Sequence, residues 1–340
     1  MSTRYSPSLL GLCLVTAAAA LLSPASAQQR VIPRTPDGHP DLQGNWSNAT
    51  ITPFQREEGR GPLFSSDEVD RLEGRAEATV RSGAQPSDPN RAPPSVGGSI
   101  GSYNNVWFER GKRVAVVNGE PRSSLLTNPP DGRRPPLTPE AQRRQQERRE
   151  FNRQFGTADN PENRSLTDRC LMFASNVGPP MIPNSAYNNN YTIVQTADYV
   201  MIHAEVVHDT RIIRLGAPRP LPDHVRPWMG DSWGRWEGDV LVVETTNIYP
   251  LHTFRGIPPS ENLKVIERFT RVDDETLLYE FTIDDPTTYT QPWGGEIPWK
   301  KLDDLLYEYA CHEGNYALAN ILSGARYEER QAARNQPEQR

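Results

Sequence analysis

The chain has 340 residues, 36% of them hydrophobic, with 32 prolines and a net charge of −6. The negative charge argues against a nucleic-acid partner, because phosphate binding requires clustered Lys and Arg side chains. The low apolar content and the abundant proline predict a modest core surrounded by long ordered loops.

Residues 1–27 have the pattern of a secretory signal peptide. Arg4 precedes an apolar run, and Ala25-Ser26-Ala27 forms an A-x-A cleavage site. The apolar run is too short for a membrane span, and no later segment resembles one. We therefore predict a secreted or periplasmic protein without a membrane span. The mature chain would have 313 residues (340 minus 27), and loss of Arg4 would change its net charge from −6 to −7.

Two cysteines, Cys170 and Cys311, remain after this cleavage. In an oxidising compartment, two such cysteines most simply form a disulfide. The alternative is a pair of free buried thiols.

The first half of the mature chain combines a short strand with helices and loops. After a Pro-rich segment, Gly44-Asn45-Trp46 forms a short strand with a G-x-W pattern. Residues 65–80 are predicted to form a helix, with Ser65 and Glu68 spaced as a capping box. Thr138 caps a second, nearly all-polar helix over 139–155, which should lie on the surface. We assign residues 55–165 as a helical and loop insertion.

From Tyr191 onward the pattern is that of a β-meander. Predicted strands cover 191–197, 199–208, 210–215, 232–236, 239–246, 264–272, 275–284 and 304–311. Many strands joined by short turns must close or stack to protect their edges. The sequence therefore predicts a mainly β fold: an antiparallel β-barrel over 28–327 with long Pro-rich loops and two or three peripheral helices. Gly44–Trp46 would supply its first strand, and residues 328–340 would form a frayed tail.

Tyr191–Leu215 places polar groups on strands that are otherwise apolar. In 199–208 the even positions are apolar, whereas His203 and Glu205 share the odd-numbered face. If this face lines a cavity, the two groups are candidates for catalytic proton transfer. Alternatively, the face is exposed and merely solvated.

Further polar and aromatic residues are candidates for substrate binding, although each also fits an ordinary structural role. An arginine fork binds carboxylate or phosphate, and tryptophans beside acids suit sugars or flat aromatic ligands. Glu313 follows Cys311 and would be held near the cavity by the disulfide. The candidates are Arg211, Asp231, Trp233, Arg235, His252 and Glu313. The amide-rich Asn188-Asn189-Asn190 is interpreted as a structural turn.

Metal and cofactor motifs are missing from the sequence. On a strand, His203 and His208 would point to opposite faces, and no H-x-H, H-E-x-x-H or C-x-x-C pattern occurs. G-x-S-x-G, Walker, G-x-G-x-x-G and haem-attachment motifs do not occur either. We expect no metal and no cofactor.

Three long segments are TPDGHPDLQGNW, GRWEGDVLVVETTN and YEYACHEGNYALANIL. They resemble a family of secreted bacterial proteins of mostly unassigned function. This resemblance transfers no catalytic residue. The G-x-W pattern and the strand Trp236–Thr245 are similar to lipocalin-like (calycin) barrels.

Together these patterns favour a secreted, cofactor-independent enzyme that uses acid–base chemistry on a small organic molecule. The reaction would be that of a lyase, an isomerase or cyclase, or a hydrolase, with His203 and Glu205 as the catalytic pair. The alternatives are a non-catalytic periplasmic carrier of a hydrophobic ligand, and an assembly factor that acts through its surface. The sequence leaves the substrate and the oligomeric state open.

Overall fold

The computed structural model describes residues 32–86, 88–90, 92, 109, 111–173, 177–184, 188–253 and 257–335. The predicted signal peptide lies outside these residues. The described strands are β1 (Gly44–Ser47), β2 (Val116–Val117), β3 (Glu120–Pro121), β4 (Leu126–Asn128), β5 (Asn190–Gln195), β6 (Tyr199–Ala204), β7 (Thr210–Leu215), β8 (Asp231–Glu237), β9 (Val240–Thr246), β10 (Lys264–Arg271), β11 (Thr276–Asp284) and β12 (Trp293–Lys301). The described helices are α1 (Ser66–Gly83), α2 (Pro139–Asn152) and α3 (Tyr316–Asn335).

Nine of the described strands, β1 and β5 to β12, form a closed barrel. The short strand β1 pairs with both β5 and β12 and closes the ring, as predicted for Gly44–Trp46. A ring with an odd number of strands cannot be antiparallel throughout. The parallel pair is β7–β8, where Arg214 lies opposite Trp233, and all other pairs in the ring are antiparallel. The predicted mainly β barrel with peripheral helices is confirmed.

Strand β12 was not predicted, and the predicted strand over 304–311 is wrong, since 303–311 is irregular. The sequence of β12 is typical of a turn, because Gly and Pro are unusual inside strands and β12 contains Gly294, Gly295 and Pro298. Gly295 pairs with β4 and Lys300 pairs with β1, both on the edge opposite β11. Pro298 lies in the gap between these partners, where no N–H donor is required.

The interior of the barrel is filled by large side chains. Along β11, alternate residues Leu277, Tyr279, Phe281 and Ile283 are buried, as their period of two indicates. Further fully buried aromatic residues are Trp46, Tyr191, Phe269, Trp293 and Trp299.

The buried irregular segment Val177–Ile182, here called the plug, adds to this core. A buried loop must satisfy its backbone polar groups. Pro179 and Pro180 bring no N–H donor, and both polar groups of Met181 are bonded. Tyr279 Oη accepts from Met181 N at 3.0 Å, and Asn48 Nδ2 donates to Met181 O at 3.2 Å.

The helices contribute little to the core. The capping box of α1 is present, because Ser65 Oγ accepts from Glu68 N and Glu68 Oε2 accepts from Ser65 N. Thr138 caps α2 as predicted. Helix α3 continues through Asn335, whereas a frayed tail was expected from residue 328. Neither α1 nor α3 contains a buried residue among those described.

Candidate functional site

An open cleft of about 1860 Å³ lies where β1 ends, β5 begins and β6 ends. We call it the rim cleft. Asn190 and Glu205 lie at its base, and its walls come from α1, α3 and residues 307–311. Pockets for small ligands usually measure about 300–1,000 Å³, so the rim cleft can hold an organic molecule together with water.

Glu205 directly follows β6 and is only 3% exposed. Its Oε2 accepts a hydrogen bond from Asn190 Nδ2 at 2.7 Å, and its Oε1 accepts from Tyr307 N at 3.1 Å. An ionised carboxylate can only accept hydrogen bonds. Each of the two carboxyl oxygens of Glu205 therefore has one N–H donor.

Glu109 is the second carboxyl group of the rim cleft and is partly buried. Ser47 Oγ donates to its Oε1 at 2.7 Å, and Asn189 N donates to its Oε2 at 3.3 Å. Burial raises the pKa of Glu109, these hydrogen bonds oppose the rise, and the negative charge of Glu205 adds to it. Glu109 therefore keeps its proton to a higher pH than an ordinary glutamic acid.

Asn190 lies beside Glu205 and Glu109. We call these two acids the carboxyl pair. Asn190 Nδ2 donates to Glu205, and its side chain lies near enough to Glu109 to lower the pKa of that carboxyl group slightly. Its Oδ1 is buried and has no hydrogen-bond partner among the described residues. The negative charge of Glu205 thus favours the protonated form of Glu109.

Close contacts are made by Glu109 and Gly111. Asn189 Nδ2 donates to Glu109 O at 2.9 Å. Gly111 has a φ of +77°, and a Cβ there would lie 2.6 Å from Thr50 N. Only glycine permits this approach of two backbones, so Gly111 holds the segment of Glu109 against the end of β1.

A disulfide anchors residues 307–311, which form the third wall of the rim cleft. Cys170 and Cys311 are bonded, with an S–S distance of 2.09 Å, which confirms the predicted bridge. It attaches residues 307–311 to the connection that precedes β5. Through Tyr307 N, the same segment contacts Glu205. The disulfide therefore supports the geometry of Glu205 from a distance.

His203 does not line the rim cleft with Glu205. The predicted strand 199–208 ends at Ala204, because Val207 and His208 have positive φ angles and turn the chain. Within β6 the even positions face the core, and the odd-numbered face that carries His203 points outward. His203 Nδ1 lies 2.9 Å from Thr210 Oγ1. Burial lowers the pKa of His203, the positive charge of His208 lowers it further, and Glu205 raises it.

Arg211 lies inside the barrel and not in the rim cleft. Its guanidinium group donates two hydrogen bonds to Glu267, at 2.7 and 3.0 Å. Tyr279 Oη donates to the same carboxylate at 2.8 Å. The position predicted for substrate binding is thus part of a buried network.

Asp231, Trp233 and Arg235 lie on β8. Asp231 is buried, forms an ion pair with Arg214 and lines a second cleft of about 740 Å³. The Arg214 guanidinium group lies 4.1 Å from the centre of the Trp233 ring. Arg235 forms exposed ion pairs on the surface, including one with Glu244 at 2.7 Å.

The last two residues predicted for substrate binding, His252 and Glu313, do not lie together. His252 is buried, and its Nδ1 lies 2.9 Å from Trp228 O. Glu313 is exposed and lines the rim cleft. Of the residues predicted for catalysis and substrate binding, the described structure therefore brings only Glu205 and Glu313 to the rim cleft, together with the disulfide of Cys170 and Cys311.

The described residues contain no group of three His, Cys, Asp or Glu side chains that could hold a metal ion. Within the same part of the chain, no helix is long and apolar enough to cross a membrane.

Comparison of the chain with protein-family profiles, curated proteins and solved structures finds no match.

Sequence reasoning missed Glu109 and the role of Asn190. Glu109 belongs to no local motif, and its partner Glu205 is far away in the chain. Asn188–Asn190 was interpreted as a structural turn, but Asn189 and Asn190 hold the carboxyl pair. The run of three asparagines is the sequence feature that could have indicated this role, because an amide side chain can hydrogen-bond to a carboxylate and to a backbone group at the same time.

Proposed function

We propose that this protein is a cofactor-independent acid–base enzyme that acts on a small organic molecule in the rim cleft. The reaction belongs to the lyase, isomerase or hydrolase type. The observation that supports the proposal is the carboxyl pair, two acids that interact electrostatically beside Asn190 in the lining of a large cleft. Paired carboxyl groups in different environments are a common arrangement for dividing the roles of acid and base.

The two environments suggest which group has which role. Glu109, whose pKa is raised by burial, is the general acid and delivers its proton to the substrate. Glu205, whose oxygens accept two hydrogen bonds, is the general base and removes a proton. The proposal replaces the His203–Glu205 pair expected from sequence and places the site at the rim of the barrel. His203 belongs to the outward face of β6, which does not border the rim cleft.

The test compares wild type with Glu205→Gln and Glu109→Gln on a mixture of small-molecule metabolites, followed by mass spectrometry. Wild type should deplete at least one compound and form a product, and each variant should lose this turnover by about 100-fold or more. Asn190 can rotate and present Oδ1 to the new amide of Glu205→Gln, so that the fold is retained. Glu244→Gln, a surface carboxyl group on β9, is the matched control and should keep full activity. Turnover that survives in both cleft variants would refute the proposed roles.

A non-catalytic carrier is the second candidate, and the exposed apolar residues of α1 and α3 favour it. The same experiment separates the two functions. A carrier would remove a compound from solution, and denaturation of the protein would release that compound with unchanged mass.

We also propose that the protein acts outside the cytoplasm. The disulfide supports this location, because such bonds persist in oxidising compartments. The predicted cleavage after Ala27 can be tested by measuring the mass of the protein exported from bacterial cells. A chain that remains inside the cells with residues 1–27 attached would contradict the prediction.

A further inference from the structure

Both helical walls of the rim cleft carry apolar side chains. Helix α1 contributes Ala78 and Val80, and helix α3 contributes Leu318 and Ile321. Val80 is 43% exposed and Ile321 is 37% exposed. An amphipathic helix normally buries its apolar side chains against the core. These side chains instead border the open cleft, where they can cover the apolar part of a ligand.

The charges of the rim cleft are mostly negative. Among the described residues, its lining carries five acids and one base, Lys112. Asp168 is paired with Arg164 at 2.9 Å. The remaining acids are Glu205, Glu308, Glu313 and Glu109, and Glu109 contributes least to the negative charge because its pKa is raised. A cleft lined by charges of one sign attracts ligands of the opposite sign and repels anions.

The base of the cleft also has more hydrogen-bond acceptors than donors. Glu205 and Glu109 both line the cleft, and Asn190 Oδ1 is a buried acceptor without a partner among the described residues. An ammonium group has three donors and no acceptor. It therefore complements the base of the cleft in both charge and hydrogen bonding.

We infer that the rim cleft takes a cationic amphiphile, a small molecule whose protonated amine lies at the carboxyl pair and whose apolar body lies along α1 and α3. The inference rests on the proposed function, because it names the substrate class of the same site. The amine nitrogen, or the carbon next to it, would then be within reach of the groups that transfer protons.

Binding of three probes with the same carbon chain tests the inference. Octylamine, 1-octanol and octanoate are titrated calorimetrically at pH 7 into the full-length protein. Octylamine should bind about tenfold more tightly than octanol, because hydrogen bonds to charged groups are roughly twice as strong as neutral ones. Octanoate should bind about tenfold more weakly than octanol, since it meets like charges. Equal affinities for octylamine and octanol would overturn the inference.

Three charge variants and two apolar variants assign the two halves of the ligand. Glu205→Gln should reduce the ratio of amine to alcohol affinity to about 1–2, and Glu313→Gln should reduce it partly, whereas Glu244→Gln should preserve it. Leu318→Asn should weaken all three probes alike, whereas Val272→Asn, at an exposed apolar residue outside the cleft, should not. A preference for the amine that persists in both Glu205→Gln and Glu313→Gln would overturn the assignment to this cleft.

The binding ratio does not depend on turnover, so the two proposals fail separately. Product formation without a preference for the amine overturns the substrate class alone. A preference for the amine without any product overturns the proposed enzyme and supports a carrier of cationic amphiphiles.

Discussion

Arg211 on β7 and Glu267 on β10 face each other inside the barrel and share two hydrogen bonds, of 2.7 and 3.0 Å. Burial alone would lower the pKa of Arg211, but the carboxylate of Glu267 raises it, so the arginine stays charged. Tyr279 extends the pair by donating to Glu267 at 2.8 Å and accepting from Met181 N at 3.0 Å. The network therefore joins three strands of the barrel, β7, β10 and β11, to the plug.

Removal of one partner of this ion pair should be costly. Glu267→Gln leaves the Arg211 charge buried without compensation, and we expect it to lower the free energy of unfolding by about 3–5 kcal/mol. The double variant Arg211→Met with Glu267→Leu should be much closer to wild type, because it leaves no buried charge. Urea-induced unfolding measures both values. A single variant that loses less than about 1 kcal/mol would contradict a desolvated pair.

Asp209, between β6 and β7, should make stability depend on pH. Burial raises its pKa from 3.8 to about 6, with partial opposition from His208. Its Oδ2 is buried and has no hydrogen-bond partner among the described residues. The folded state therefore binds the proton more tightly than the unfolded state, and this contribution to stability is lost as the pH rises from about 4 through about 6.

The variant Asp209→Asn removes this titration. At pH 7 it should be more stable than wild type by roughly 1 kcal/mol, a value reduced for the partial exposure of the group. Near pH 4 the difference should disappear, because the wild-type side chain is then protonated. Thermal unfolding at both pH values measures the effect, with the exposed Asp198→Asn as the control. Equal stability of Asp209→Asn and wild type at pH 7 would show that the carboxylate is adequately solvated.

Loss of the disulfide should affect both stability and the site. The bridge joins residues 141 apart, and its removal in Cys170→Ser with Cys311→Ser should cost about 2–5 kcal/mol. Because Tyr307 N and Glu205 are in contact, affinity for the amine probe should also fall while the protein remains folded. Calorimetric binding and urea unfolding of the same sample separate these effects. Unchanged binding in the folded double variant would show that the bridge does not support the rim cleft.

The parts of the fold that depend on local pattern could be predicted from the sequence. The alternation in β11 and the capping box of α1 depend on residues close together in the chain. Strand β12 could not be found in this way, since Pro298 is tolerated only because β4 and β1 leave a gap beside it. Val206 and Val207 are adjacent apolar residues, and both are buried in the turn after β6. Two adjacent apolar residues interrupt the alternation of a strand, so they indicate in the sequence that the strand ends before them.

The candidate site was only partly predictable for the same physical reason. Glu205 stood out because it lies beside an apolar strand. Its partner Glu109 is brought to it by Ser47, Asn189 and Asn190, which are distant in sequence. Contacts between residues that are distant in sequence leave no periodic pattern in the chain. Parity also suggested a pair of His203 and Glu205 on one face, but this pairing assumed that the strand continues to residue 208.

Gly111 provides a test of how the carboxyl pair is positioned. In Gly111→Ala the new Cβ would meet the backbone of Thr50 at 2.6 Å and force the segment of Glu109 away from β1. Gly119 is a matched control, since its φ of +80° is similar but a Cβ there would meet nothing within 4 Å. Both alanine variants should lose about 1 kcal/mol of stability from the positive φ. Only Gly111→Ala should also weaken the preference for octylamine over octanol, by severalfold, because it displaces one carboxyl group of the pair. Equal binding ratios in the two variants would mean that Glu109 does not take part in holding the cation.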